Sequence, residues 1–395
     1  MITEKDLGSL FDSNSFVELG EARGSSVITG YGTVSGKLCY AFLQDSEIDG
    51  GAFSKTAGAK ICAIYRLALK AKAPVVGLLD STGFLVDEGG EALNAFNEVY
   101  SLAGKAADEI LQIMIIGGKC IGQMQSLSET ADILFKDMET EEALMYSREM
   151  LRVLPPAAGM LPEQFDTADD LNRINFGIEE KVSDGREILR EISDDGFLIE
   201  TNRKTAPELT CGFIKVNGIM VAAMANNTVD GDSRLSYRGL LKAAKLVRIA
   251  DKFSLGILNI SNTEGFSTNE DTDLMARGAQ ELSKAFTMAA VPKINLITGK
   301  VVGGIYSVMN GRYTSSDLTF AWRDAEVCII DPKQAADLVY GPLEPLDVEQ
   351  KTKEYEETHT TAEVLAALGL VDKIIDPEET RKYLAGALET YANVF

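Results

Sequence analysis

Residues 33–42 read TVSGKLCYAF and residues 215–224 read KVNGIMVAAM. They lie 182 positions apart, and superposing them sets Val34 on Val216 and Gly36 on Gly218. The same shift, with no gap, sets AIYRLALK (63–70) on KLVRIADK (245–252), matching Arg66 to Arg248, Ala68 to Ala250 and Lys70 to Lys252. It sets DSTGF (80–84) on NTEGF (262–266) and KCIGQM (119–124) on VVGGIY (301–306), with Gly122 on Gly304. Chance supplies one such match easily. Four in order at one offset mark a duplicated domain, because self-similarity at a fixed spacing is the signature of a repeated structural unit.

Each copy reads as the same series of elements. Two short strand-like runs flank Ser35-Gly36 or Asn217-Gly218, which is a hairpin signal. Apolar residues at mixed three- and four-residue spacing predict helices over 56–72 and 238–253. A buried strand follows, APVVGLLD or LGILNI, and runs into a glycine-containing loop. Helices over 91–107 and 272–288 lead to a second buried strand, ILQIMII or VPKINLIT, and to a glycine turn. Strands alternating with helices imply an α/β fold with a largely parallel sheet. Sites in such sheets gather at the carboxyl ends of the strands. The loops at 80–90, 117–124, 262–270 and 299–306 are therefore the expected site edges, with Gly83, Phe84, Gly122, Gly265 and Phe266 as candidate substrate contacts.

Composition removes several classes of function. The 395 residues are 45% hydrophobic and 25% charged, which is enough for two domains with their own cores. A net charge of −22 opposes a nucleic-acid surface, which needs clustered Lys and Arg. No apolar run approaches the ~20 residues of a membrane span, and the start, MITEKDLGSLF, has no signal-peptide core. Cysteines at 39, 62, 120, 211 and 328 form no CxxC and fit reduced, buried thiols in a cytoplasmic protein. The single histidine, His359, stands in the acidic stretch EYEETHTT and reads as a surface residue. With one histidine, read as a surface residue, a Ser-His-Asp hydrolase, a Cys-His protease or a multi-histidine zinc site is very hard to build.

The glycine turns then need a role. GKVVGG lacks the spacing of a phosphate loop, since its lysine precedes the glycines. Two successive N–H groups opening a helix suit an oxyanion instead, and each donor is worth about 3 kcal/mol in a dry site. A tight packing turn is the plainer alternative, and it weakens when the turn occurs in both copies. Asp80 and Glu88 share one site loop and are either an acid/base pair or solvated charges; Trp322 reads as a packing residue.

The motifs resemble the carboxyltransferase subunits of biotin-dependent acyl-CoA carboxylases and decarboxylases. KAAKLVRIADKFSLGILNISNTEGF and ARGAQELSKAFTMAAVPKINLITGKVVGGIYSVM are similar to that family's helix, strand, "PGF"-type loop and glycine-turn run. DLTFAWRDAEVCIIDPKQAADLVY and GLVDKIIDPEETRKYLAGAL resemble its later segments. In the first half, GYGTVSGKLCYAFLQDSEIDGGAF, LALKAKAPVVGLLDSTGFLVDEG and IMIIGGKCIGQM carry a weaker likeness.

The resemblance implies two tandem crotonase-like domains of the ClpP/crotonase, β-β-α spiral type. Residues 1–153 would form a shortened first domain, 154–205 a linker or interdomain segment, and 206–395 the second domain. It implies an oxyanion hole at Gly122 and Gln123 for the acyl thioester, and one at Gly304 and Ile305, beside Gly303, for the ureido oxygen of biotin. The family's sites lie between the first domain of one subunit and the second domain of another, which implies a homo-oligomer, a dimer or higher. Acyl-CoA would bring coenzyme A as part of the substrate. Biotin would arrive on a separate biotin carboxyl carrier protein or with other carboxylase or decarboxylase subunits. No metal is implied.

Three departures from the pattern matter. Gln123 stands where the family has its second glycine, with Ile121 before the pair. The loop DSTGFL lacks the arginine of "DSGGAR", and NTEGF lacks the aspartate of "DVPGF". After the first glycine turn the chain reaches ADILFKDMETEEALMYSREMLRVLPP almost at once, where full-length members carry a stretch that walls the acyl pocket. Either that pocket is open or a partner supplies the wall. The expected activity is carboxyl transfer between carboxybiotin and an acyl-CoA. The alternative is a non-catalytic scaffold or regulatory subunit, and a hydratase or isomerase ranks third.

Overall fold

The computed structural model describes residues 4–21, 24–136, 138–229, 233–341 and 347–392. The chain divides into two compact units, Met1–Glu163 and Gln164–Phe395.

The first unit begins with helix α1 (Glu4–Leu10) and the short strand β1 (Val17–Glu18). The hairpin β2 (Val27–Val34) and β3 (Lys37–Gln44) turns at Ser35 and Gly36, whose φ values of 52° and 77° give the turn that matches strand twist. Helix α2 (Lys55–Ala71) starts where the Ser54 hydroxyl accepts the Ala57 N–H at 3.0 Å, an N-cap that holds one of the helix's orphan donors. Strand β4 (Val75–Ser81), helix α3 (Gly90–Glu109) and strand β5 (Gln112–Cys120) follow. The short helix α4 (Gln123–Ser128), strand β6 (Ile133–Phe135) and helix α5 (Thr140–Val153) complete the unit. The six strands lie in sequence order; β3 to β6 are parallel and β1 to β3 antiparallel. All seven residues of β4 are buried, as a parallel strand covered on both faces requires. Ile61, Tyr65 and Phe96 pack over the sheet residues Leu79 and Met114.

The second unit repeats this plan. It opens with helix α6 (Gly185–Ile192) and strand β7 (Leu198–Glu200), which fall within the stretch 154–205 and contribute to the unit's core and sheet. The hairpin β8 (Leu209–Val216) and β9 (Ile219–Asn226) turns at Asn217-Gly218 with φ of 52° and 75°. Helix α7 (Tyr237–Lys252), strand β10 (Gly256–Thr263), helix α8 (Thr272–Met288) and strand β11 (Lys293–Val302) match α2 to β5. Then come helix α9 (Ile305–Met309) and strand β12 (Leu318–Trp322). From there the copies diverge. Strand β13 (Glu326–Cys328), helices α10 (Pro332–Tyr340), α11 (Val348–His359) and α12 (Ala362–Ala367) and strand β14 (Lys373–Ile375) intervene before helix α13 (Thr380–Ala392). The first unit passes from β6 to α5 directly. Trp322 is 3% exposed and donates its indole N–H to Thr380 Oγ1 at 2.9 Å, so it is a core residue as its sequence context suggested.

One part of the sequence alignment is corrected by the strands. Val75 pairs with Gln112 and Ile257 with Lys293, so β5 and β11 correspond at a shift of 181, not 182. Packing preserves strand register, whereas the helix and loop before the strand vary in length; α3 has 20 residues and α8 has 17. Gly122 therefore stands at the position of Gly303, and Gln123 at that of Gly304. Their backbones agree: Gln125 N–H bonds to Gly122 O and Tyr306 N–H to Gly303 O, and both glycines have positive φ, 63° and 77°.

Candidate functional site: paired glycine turns at strand ends

In each unit two loops leave the carboxyl ends of neighbouring parallel strands. The loop after β4 turns at Gly83 and the loop after β10 at Gly265, with φ of 107° and 110°, which a side chain would resist. The Ser81 hydroxyl accepts the Gly83 N–H at 3.2 Å, and the Thr263 hydroxyl accepts that of Gly265 at 3.3 Å. Each loop is then zipped to the residue before the first long helix. Phe53 N–H donates to Gly83 O and Leu85 N–H to Phe53 O; Leu235 N–H donates to Gly265 O and Ser267 N–H to Leu235 O. The Phe84 ring meets Phe53 and Phe96 edge-on, at centroid distances of 6.0 and 5.6 Å.

The second loop of each unit carries the glycine turn. Gln123 and Met124 open α4, and Ile305 opens α9, so their N–H groups belong to a first turn that has no partner inside the helix. In the second unit Gly303 N–H is occupied, donating 2.7 Å to Cys328 O at the end of β13. No acceptor among the described residues takes the Gly304 or Ile305 main-chain N–H. Among the described residues the first unit has no counterpart of β13, and no acceptor takes the Gly122 N–H. The two turns therefore differ in one amide: the Gly303 N–H is bonded and that of Gly122, its counterpart, is not. Gly122 and Gln123 are exposed; Gly304 is exposed while the Ile305 side chain is fully buried.

The second unit brings its two loops together. A Cβ on Gly304 would lie 3.3 Å from the Phe266 ring, and one on Gly265 2.9 Å from Val302 O. A Cβ on Gly122 would meet nothing within 4 Å, so the first turn is the more open.

The charged groups nearby have structural partners. Asp80, 5% exposed, accepts the Lys119 N–H at 2.9 Å, and Glu88 caps α2 through the Lys55 N–H, so each carboxylate holds a main-chain amide. Burial pushes the Cys120 thiol up to about 11, which keeps it protonated beside the turn. Burial, then Glu356, raises the Glu326 carboxyl above its ordinary value; Lys300, its neighbour across the sheet, opposes the shift. His359 is exposed at the end of α11, stacked on Tyr355. No helix among the described residues is long and apolar enough to cross a membrane.

Two mixed-sheet units, each carrying a helix-opening glycine turn at the carboxyl end of a central strand, make up a duplicated α/β fold. Residues 9–136 and 130–394 match the carboxyl transferase domain family, and the chain belongs to that family. A propionyl-CoA carboxylase beta chain of Roseobacter denitrificans is 28% identical over 425 residues, covering 94% of this chain and 83% of the relative. Methylmalonyl-CoA decarboxylase subunit alpha of Veillonella parvula is 27% identical, covering 100% and 90%. A transcarboxylase 12S structure, described as a hexamer with methylmalonyl-coenzyme A and methylmalonic acid bound, superposes with a TM-score of 0.90 at 25% identity, over 98% of this chain and 89% of that one. The fold is thus the tandem crotonase-like arrangement, and the protein is a carboxyltransferase of the biotin-dependent acyl-CoA carboxylase and decarboxylase group. The matched stretches meet at 130–136, where β6 leads into α5. The 425-residue alignment exceeds the length of this chain, so that relative carries residues with no counterpart here.

Several structural residues recur at the shift of 182 and escaped the reading of the sequence. Ser54 and Ser236 are equivalent N-caps, Glu88 and Glu270 reach back to accept the first N–H of α2 and of α7, and Lys60 and Lys242 are both buried. Each match is a single residue between variable neighbours, but the fixed offset was the available signal.

Proposed function

We propose that this chain is the carboxyltransferase component that moves a carboxyl group between carboxybiotin on a separate carrier and a short-chain acyl-CoA of the propionyl and methylmalonyl class. The observation that carries the reading is the pair of helix-opening turns, one per unit, each presenting main-chain N–H groups where a carbonyl oxygen acquires charge. At the first turn, Gly122 and Gln123 donate to the thioester oxygen as the α-carbon loses a proton or a carboxylate; the enolate charge settles on that oxygen. Gln123 in place of glycine leaves this intact, because the donor is backbone. Gly83 and Phe84 border the acyl group.

The second turn fits a flat, partly apolar ligand with one polar oxygen. Gly304 is bare, the Phe266 ring lies against it, and Gly304 and Ile305 supply two donors, with Gly303 and Gly265 shaping the turn. Carboxybiotin supplies or receives the carboxyl group there. The transcarboxylase relative's description as a hexamer supports a working oligomer for this chain too.

Calorimetric titration with acetyl-, propionyl-, malonyl- and methylmalonyl-CoA, alongside free biotin, tests the proposal. Micromolar binding of propionyl- or methylmalonyl-CoA is expected. A folded oligomer that binds none of them returns the chain to the scaffold reading.

A further inference from the structure

Just ahead of each turn the two central strands fall out of register. Leu79 pairs with Ile116 but Ser81 with Cys120, and Ser261 pairs with Ile297 but Thr263 with Val301. The extra residues bulge from β5 and β11, and bulges beside sites re-aim the residues after them. In each bulge a single side chain from the neighbouring strand stands in for the lost ladder bond. Asp80 Oδ1 accepts the Lys119 N–H at 2.9 Å, and Asn262 Oδ1 accepts the Lys300 N–H at 3.2 Å. The opposing residue is bare in both copies: a Cβ on Gly118 would lie 2.2 Å from Asp80 Cγ, and one on Gly299 would lie 2.5 Å from Asn262 Oδ1. Asn262 is further fixed, donating its Nδ2 to Val182 O at 3.2 Å. The held amides sit three residues before Gly122 and Gly303.

We infer that Asp80 and Asn262 are positioning residues for the two oxyanion turns, acting through the Lys119 and Lys300 amides to set where the donor N–H groups point. The inference rests on the proposed function for its kinetic consequence and on the bulge geometry for its structural one. A carboxylate and an amide share the one property both bulges need, an acceptor oxygen on a two-bond stem. Asp80 has no need of the donor that Asn262 uses on Val182.

The experiment compares Asp80→Ala with Asp80→Asn, and Asn262→Ala with Asn262→Asp, in the full-length protein. It reads amide hydrogen exchange at Lys119 and Lys300, together with kcat and KM for carboxyl transfer from methylmalonyl-CoA to free biotin. Each alanine variant is expected to speed exchange at its own lysine and to lower kcat by about 10–100-fold, since small misplacement of catalytic groups costs that much. KM in all variants and kcat in Asp80→Asn are expected to stay within about threefold of wild type; Asn262→Asp, which keeps the acceptor but gives up the bond to Val182 O, is expected to slow Lys300 exchange relative to Asn262→Ala. If Asp80→Ala does not fold, Gly118→Ala tests the same contact by displacing the carboxylate. Unchanged exchange or unchanged kcat in the alanine variants overturns the inference, as does equal damage in Asp80→Asn and Asp80→Ala. If the wild type turns over no acyl-CoA, the carboxyltransferase reading fails, and exchange at Lys119 and Lys300 alone still decides the positioning role.

Discussion

Arg381 and Asp194 form an ion pair at 2.7 Å with side-chain exposures of 0% and 4%. The corresponding pair of the first unit, Arg148 and Asp12, stands at 3.2 Å and is about one-third exposed. Both aspartates perform one task. Asp194 accepts the N–H groups of Asn217 and Gly218 at 2.8 and 2.7 Å, and Asp12 those of Ser35 and Gly36 at 3.0 and 2.9 Å. One hairpin clamp therefore exists in a buried and an exposed version. Removing Arg381 leaves the buried Asp194 carboxylate without its cation, while Asp169 keeps Arg173 at 2.8 Å, and is expected to cost about 3–5 kcal/mol. Arg148→Ala is expected to cost less than about 1 kcal/mol. Calorimetric unfolding of both variants checks the difference.

The exposed clamp is acid-sensitive. The Gly36 N–H leads the causes that lower the Asp12 carboxyl from 3.8 to about 2; Ser35, Thr33 and Arg148 assist and burial opposes. A depressed carboxyl stabilises the fold above its unfolded value and loses that contribution as pH falls through the folded one. Asp12→Asn is expected to melt below wild type at pH 6, and the gap is expected to close between about pH 4 and pH 2. A gap of constant size across that range contradicts the assignment.

Main-chain donors make an uncommon prediction about side chains. Gln123 is the first residue of α4, where proline is tolerated because that N–H has no helical partner. Gln123→Ala is expected to leave carboxyl transfer near wild type. Gln123→Pro is expected to keep the fold and lower kcat by about 10²–10³, the cost of one oxyanion donor. Steady-state kinetics with methylmalonyl-CoA and circular dichroism separate the two effects.

The hairpin glycines differ in what surrounds them. Gly36 and Gly218 have φ of 77° and 75°, but a Cβ on Gly36 meets nothing within 4 Å and one on Gly218 lies 1.9 Å from Phe165 O. Gly36→Ala is expected to cost only the left-handed strain of about 1–2 kcal/mol. Gly218→Ala must also move backbone, so its loss in urea unfolding is expected to be clearly larger.

The duplication was readable because hairpin turns and buried strands demand residue types that survive in both copies: Gly36 with Gly218, Gly83 with Gly265, and apolar strand runs. The helix over 272–288 was read with its observed bounds, and 91–107 falls within α3, because apolar spacing follows the helical period. The glycine-turn alignment slipped by one because a shift of 182 also matches Gly122 to a glycine, Gly304. Only strand pairing distinguishes that match from Gly303.

The repeated α/β plan and the family likeness follow from residue types and their spacing, since these rest on periodicity and turn chemistry. Tertiary structure decided which N–H groups are free. The carbonyl that occupies Gly303 comes from Cys328, 25 residues on in the chain and adjacent only through the pairing of β13 with β11. It likewise brought main-chain amides to Asp80 and Glu88. A carboxylate's role is set by the donor packed against it, and that donor is brought there by the fold.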